Sequence, residues 1–209
     1  MSWSVERRST SAAEFHALDV PDPATRAVWI AEPTGPALVL GSAQPETHVQ
    51  PGVEIEVVRR RSGGGAVLVV PGDVLWVDVI VPAGDPLWDD DVGHASHWLG
   101  DVWAAALAEL GVEASVHRGA MVRSPWSDAV CFAGLGPGEV TVAGRKVVGL
   151  SQRRTRTAAR FQCAALGRWD AAALADLLVE VPADGIADVA TGAGVALEDL
   201  LAAFLSHLP

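Results

Sequence analysis

Apolar residues in this chain fall more often into short unbroken runs than into strict alternation with polar ones. Val28-Trp29-Ile30, Ala37-Leu38-Val39-Leu40 and the run 53–58 are rich in branched residues and are separated by Pro/Gly turns, which predicts strands. After Ser62-Gly63-Gly64-Gly65 come the run 66–70, the tight turn Pro71-Gly72-Asp73 and the run 74–81. Continuous apolar runs of this kind predict strands covered on both faces. Val92, Ala95, Leu99, Val102, Ala106 and Leu110 instead recur at a helical period. Their spacing predicts a helix over 89–110, with Asp89, Asp90 and Asp91 as cap and favourable first-turn charge, and Gly111 ending it. A second β region is expected over 112–166, with turns at 134–138 and at Ala143-Gly144. Helices are expected at about 170–178 and 195–206, and a short helix and turn within 1–25. Only Gly185 to Gly194 reads as linker-like. The pattern implies an α+β fold, α/β-like in part, with a mixed β-sheet flanked by helices, and one domain over 1–209.

Composition narrows the functional classes. The chain has 209 residues, half of them apolar, and a formal charge of −11. That charge argues against a general nucleic-acid binder, which needs a broad basic surface. The basic residues are clustered, however: Arg59-Arg60-Arg61 form one group and Arg145, Lys146, Arg153, Arg154, Arg156 and Arg160 a second, with no acid between Glu139 and Asp170. A basic island in an acidic protein fits a local anionic ligand, and a solvated arginine face is the plain alternative. Two cysteines make no disulfide framework, and no run of about 18 apolar residues is present to span a bilayer. The expectation is a cytoplasmic protein that partners neither nucleic acid nor membrane, with reduced thiols.

Lys146 is the only lysine among fifteen basic residues and sits in Gly144-Arg145-Lys146-Val147-Val148-Gly149. An ammonium is a compact point charge suited to a phosphoryl or carbonyl oxygen, where a planar guanidinium fits differently. A spare surface charge is the alternative. In strand geometry Lys146, Val148 and Leu150 are expected on one face, with Gly149 permitting close approach of a ligand. The segment Arg60, Ser62, Gly63, Gly64, Gly65 and Ala66 is a candidate anion cradle: successive glycines expose bare N–H groups, and adjacent arginine supplies charge-assisted bonds. A flexible hairpin turn is the competing reading. Cys131, in Ala129-Val130-Cys131-Phe132, suits either a nucleophile beside a cationic island or a core thiol in a β run. Cys163 reads as core. His94 and His97 lack a third metal ligand, so no metal site is expected. Gly134 to Gly138 reads as a turn.

Two of these motifs, the stretch 59–67 and Gly144-Arg145-Lys146-Val147-Val148-Gly149-Leu150-Ser151-Gln152, resemble the catalytic domain shared by lipoate-protein ligases, octanoyltransferases and biotin-protein ligases. The likeness is closest to the lipoate-protein ligase A type, and Val39-Leu40-Gly41-Ser42-Ala43-Gln44 adds to it more weakly. The resemblance implies a mixed sheet of the class II aminoacyl-tRNA synthetase and biotinyl-protein-ligase kind. It implies that ATP with Mg2+ and lipoate or octanoate form an acyl-adenylate, which an acceptor-domain lysine then attacks. The acceptor would be a lipoyl domain or a glycine-cleavage H-type protein. The residues 60 and 62–66, with Arg145 and Gly149, would hold the acyl-adenylate, and Lys146 would stabilise developing negative charge. Ligases of this type carry His-Asp after the Gly-rich motif, where this chain has Val69-Val70-Pro71-Gly72-Asp73. Many also carry a C-terminal accessory domain, for which 209 residues leave no room. Cys131-Phe132 resembles the Cys-Phe of transferases of the same fold, in which a thiol accepts the acyl group from an acyl-carrier protein. A non-catalytic acyl- or nucleotide-binding protein is the remaining alternative.

Overall fold

The computed structural model describes residues 2–209. In chain order it contains β1 (Ser4–Thr10), α1 (Ala12–Ala17), β2 (Ala27–Pro33), β3 (Ala37–Leu40), β4 (Glu56–Arg59), β5 (Val67–Val69) and β6 (Val74–Pro82). There follow α2 (His97–Glu109), β7 (Ser115–Val116), β8 (Val140–Val142), β9 (Arg145–Arg154) and β10 (Ala158–Leu166). The chain closes with α3 (Ala171–Ala175), α4 (Ala183–Ile186) and α5 (Leu197–Ser206). Seven strands form one sheet in the order β1-β2-β6-β10-β9-β8-β7, and β4-β3-β5 form a second, smaller sheet. Both are mixed: β1 runs parallel to β2 and β3 parallel to β4, whereas the other pairings are antiparallel.

The large sheet is covered on both sides. Along β6, Leu75, Val77, Val79 and Val81 pack in the core formed with α2 and α5, where the Trp103 and Phe204 rings stack 4.1 Å apart. Trp76 and Ile80, of opposite parity, pack with Val39, Val58 and Val69 of the small sheet. A strand buried on both faces needs apolar residues at every position, which is why the run 74–81 shows no alternation. Asp78 is the exception.

The predicted helix over 89–110 is shorter than its periodicity suggests. Helix α2 starts at His97, and the aspartates fold the preceding residues into turns instead: Asp89 accepts from the Asp91 N–H at 2.8 Å and Asp91 from the Gly93 N–H at 2.7 Å. Short carboxylates compete well for nearby backbone donors, so an acidic run favours such turns over a helical first turn. The β region expected over 112–166 is interrupted, since 117–139 contains no strand and Cys131–Ala133 form a 3-10 turn. The stretch 185–194 is docked rather than a free linker: it holds the end of α4, and the Lys146 N–H donates to the Val189 carbonyl at 3.0 Å.

Candidate functional site

The Gly-rich segment links β4 to β5, and two of its glycines are required for separate physical reasons. Gly64 has φ +96°, in the region that side chains disfavour. A Cβ on Gly65 would lie 2.5 Å from the Val130 nitrogen, so only glycine lets this loop touch the segment leading to Cys131. That contact is fixed by hydrogen bonds from the Ala66 N–H to the Ala129 carbonyl (2.8 Å) and from the Cys131 N–H to the Ala66 carbonyl (3.0 Å). The N–H groups of Gly63, Gly64 and Gly65 donate to no partner among the described residues. They are the bare amides the sequence implied.

Arg60 shapes this loop from within. Its guanidinium, 5% exposed, donates to the carbonyls of Gly63 (2.7 Å) and Gly65 (2.9 Å), and its Nη2 stands 3.7 Å from the Cys131 Sγ. Arg59, by contrast, donates to the carbonyls of Gly41 and Gln44. Arg60, Cys131, Phe132 and Gly149 line one cavity between the two sheets, walled by Val39, Val67, Val69, Val74 and Trp76. Its walls are almost wholly apolar, as an acyl chain requires. Cys131 therefore borders a narrow apolar cavity of about 50 Å³ instead of packing wholly in a β-run core.

Lys146 stands apart from that cavity. Its ammonium is 3% exposed and pairs with Glu139 Oε1 at 2.6 Å. It also donates to the carbonyls of Cys131 (3.1 Å) and Gly134 (3.0 Å), which uses all three donors. Phe132 stands beside it, with the ring centroid 5.0 Å from Nζ. The ammonium and the glycine loop thus both reach the Cys131 turn, one through the Cys131 carbonyl and the other through the Ala66 backbone and the Arg60 guanidinium.

The expected shared face of Lys146, Val148 and Leu150 is overturned. Val140 pairs with Val148 but Thr141 with Lys146, so β9 advances two residues where β8 advances one. This β-bulge at Val147 reverses the facing of side chains across it. Val147 and Val148 both enter the helix-side core, and Lys146 falls on the side of Gly149, where a Cβ would meet Lys146 Cε at 3.2 Å and the Phe132 ring at 3.3 Å. Glycine at 149 is what allows Lys146 and Phe132 to lie against β9.

A polar strip crosses the apolar cavity floor, and nothing in the sequence patterning marked it. Ser62 Oγ donates to Ser151 Oγ at 3.1 Å. Gln162 Nε2 lies 3.2 Å from His16 Nδ1 and 3.4 Å from Asp78 Oδ2. Asp78, fully buried, accepts from Arg160 Nε (2.5 Å) and Trp76 Nε1 (2.8 Å). Burial pushes the His16 pKa down to about 3, helped by the nearby charges of Arg160 and Arg60. His16, a single histidine on a short helix, and Glu139, a strand-edge acid, had no sequence signal beyond identity; pairing made them part of the site.

Of the remaining candidates, Cys163 stands in the wall of the same cavity, whereas the others lie apart from it. Arg145 points outward and pairs with Asp188 at 3.2 Å, away from the cavity. The Cys163 side chain is buried, and desolvation pushes its thiol well above the usual range. His94 and His97 belong to no cluster of three metal-ligating side chains among the described residues. No helix there is long and apolar enough to cross a membrane.

Comparison with known proteins agrees with this architecture. The family model described as the lipoyl protein ligase A/B catalytic domain matches residues 13–204. Among solved structures, the chain is similar to a bipartite lipoate protein ligase from Thermoplasma acidophilum, studied with its E2 lipoyl domain (TM-score 0.74, 16% identity, 99% of this chain and 82% of that one). It is also similar to a lipoate-protein ligase A bound with ATP (TM-score 0.73, 16% identity, 99% and 84%). A biotin protein ligase variant from Aquifex aeolicus, bound to biotin, is more distant (TM-score 0.51, 13% identity, 98% and 67%). At these identities the likeness establishes the fold. No curated protein matches the sequence.

Proposed function

Since this chain belongs to the lipoyl protein ligase A/B catalytic-domain family, we propose that it transfers a lipoyl or octanoyl group to the lysine of an acceptor domain. One observation carries this reading: an apolar cavity lined by a buried guanidinium and a thiol, next to a loop that carries three bare amides. The cavity suits the acyl chain, and the amides of Gly63–Gly65 suit a carboxylate, phosphoryl or oxyanion oxygen. The T. acidophilum neighbour was studied with a lipoyl domain, which supports an acceptor of that kind.

Two routes reach the same amide. In the adenylate route the acid's carboxylate attacks ATP, pyrophosphate leaves, and the acceptor amine displaces AMP from the acyl-adenylate. The residues fit an anion at the amides, but Lys146 has no donor free as folded and would have to release a carbonyl to serve the ligand. In the thioester route the Cys131 thiolate attacks an acyl thioester and expels the carrier's thiol. The acceptor amine then attacks the acyl-Cys131 carbonyl, and the thiol is regenerated. The position of Cys131 Sγ, in the cavity wall beside Arg60, favours this second route.

The test is a pair of incubations with a lipoyl domain, one with octanoyl-carrier protein and one with lipoate, ATP and Mg2+, each followed by acceptor mass. Gain from the carrier that disappears in Cys131→Ala establishes the thioester route. Gain with ATP that survives Cys131→Ala establishes the adenylate route. Tight acyl binding without acceptor gain in either incubation would make the protein a binder and overturn the transfer reading.

A further inference from the structure

We infer that Arg60, and not Lys146, is the cation that serves the reacting group, its guanidinium being the counter-charge of a Cys131 thiolate. This rests on the thioester route above and adds a catalytic residue to it. Four basic side chains (Arg26, Arg60, Lys146 and Arg160) and three acidic ones (Asp78, Asp85 and Glu139) are buried among the described residues. Each acid takes one base: Asp85 pairs with Arg26 at 2.7 Å, Glu139 with Lys146 at 2.6 Å and Asp78 with Arg160 at 2.5 Å. Arg60 alone is left without a carboxylate among the described residues. The carbonyls of Gly63, Gly65 and Val39 accept from it, and these supply dipoles but no charge. A buried ion without a counter-ion is costly, so a group able to ionise is expected beside it.

Cys131 supplies that group. Its Sγ stands 3.7 Å from Arg60 Nη2, and the residue is partly exposed, so the thiol proton can leave to water. Gly64 keeps the approach open: a Cβ there would lie 2.9 Å from Nη2 and 3.6 Å from Sγ. Both groups line the same apolar cavity, whose walls screen the pair less than water does. Lys146 reaches Cys131 only at its backbone carbonyl, and Glu139 offsets its charge. In the reaction the thiolate attacks the carbonyl carbon of the carrier's thioester, and a C–S bond forms to Cys131. The bond to the carrier's sulfur breaks, and the leaving thiolate takes a proton from water. The acceptor amine then attacks the acyl-Cys131 carbonyl and loses its proton to water, which returns the Cys131 thiolate to Arg60.

Iodoacetamide, an uncharged reagent that alkylates thiolates, tests the pair, with Cys131→Ala as the background. At about pH 6, Arg60→Gln is expected to react about tenfold more slowly than the unaltered protein. At about pH 10, where an ordinary thiol is ionised, the two rates should agree within about twofold. Arg60→Lys, which keeps the charge, should recover most of the rate at the lower pH. Arg156→Gln, which removes an exposed member of the basic island, should leave that rate within about twofold. If Arg60→Gln does not fold, the ultraviolet absorbance of a thiolate at about pH 6 decides, taken as the unaltered protein minus Cys131→Ala. Its presence supports the pair and its absence overturns it. Equal alkylation at the lower pH overturns the pair, and so does a loss of the same size at both pH values, which makes Arg60 a brace for the glycine loop. Unchanged alkylation with octanoate binding lost gives the counter-ion to a ligand carboxylate instead. Carrier-dependent acylation that still needs Cys131 leaves the thioester reading standing in all these cases. Acylation that survives Cys131→Ala removes that reading, and the part given to Arg60 with it.

Discussion

Replacing Lys146 with methionine is the most informative single change, because it separates a buried structural charge from a catalytic one. The ammonium and the Glu139 carboxylate are 3% and 5% exposed at the side chain, 2.6 Å apart. Methionine fills similar length without a charge and strands the carboxylate. Removing one partner of a buried pair costs about 3–5 kcal/mol, because the remaining charge stays desolvated. Glu139 keeps two compensating bonds, from the Gly136 N–H (2.6 Å) and the Leu150 N–H (3.0 Å), so the lower end, about 3 kcal/mol, is expected. For a chain of this size each kcal/mol moves Tm by about 2–4 °C, giving a fall of roughly 6–12 °C by calorimetry. Adding Glu139→Gln to the methionine variant should recover about 1–2 kcal/mol, since the stranded charge goes while an acceptor for one N–H remains. A loss below about 1 kcal/mol with no coupling between the two sites would refute the reasoning, showing that the pair opens to water in solution.

Three further outcomes follow from the same geometry. Gly65→Ala places a methyl 2.5 Å from the Val130 nitrogen and should cost about 2–3 kcal/mol in urea melts, whereas Gly63→Ala, with nothing within 4 Å, should stay within about 0.5 kcal/mol. His16 binds a proton in the unfolded chain below about pH 6.5 but in the folded protein only near 3. Stability should therefore fall as pH drops between these values, by at most about 1.4 kcal/mol per unit from this group, and the fall should be shallower in His16→Phe. Above pH 6.5 the two proteins should show no difference in slope from this source. A thiol reagent at neutral pH should modify Cys131 in the native protein and reach the buried Cys163 only after denaturation; rapid reaction of both in the folded state would contradict the packing.

Much of this protein was legible before any coordinates. Apolar runs at 37–40 and 74–81, the second broken only by Asp78, marked strands buried on both faces, because a sheet covered twice has no solvent side to demand polar residues. The glycine run announced a backbone able to approach closely, and the resemblance carried by it and by the Lys146 motif led to the right family. Local chemistry decides such features, so local sequence reports them. Other features depended on partners far away in the chain. The bulge at Val147, which carries Lys146 to the side opposite Val148, comes from the pairing of β9 with β8, and no period within β9 encodes that slip. The aspartate run looked like a helix start because composition shows only that carboxylates are available, not which N–H groups they will find. The strip from Ser62 through Gln162 to His16 and Asp78 joins residues up to 146 positions apart. A hydrogen bond that long in sequence exists only once the two sheets have closed over the cavity. Composition and periodicity thus determined what kind of molecule this is, while tertiary packing decided where its single ammonium points and what its cavity can recognise.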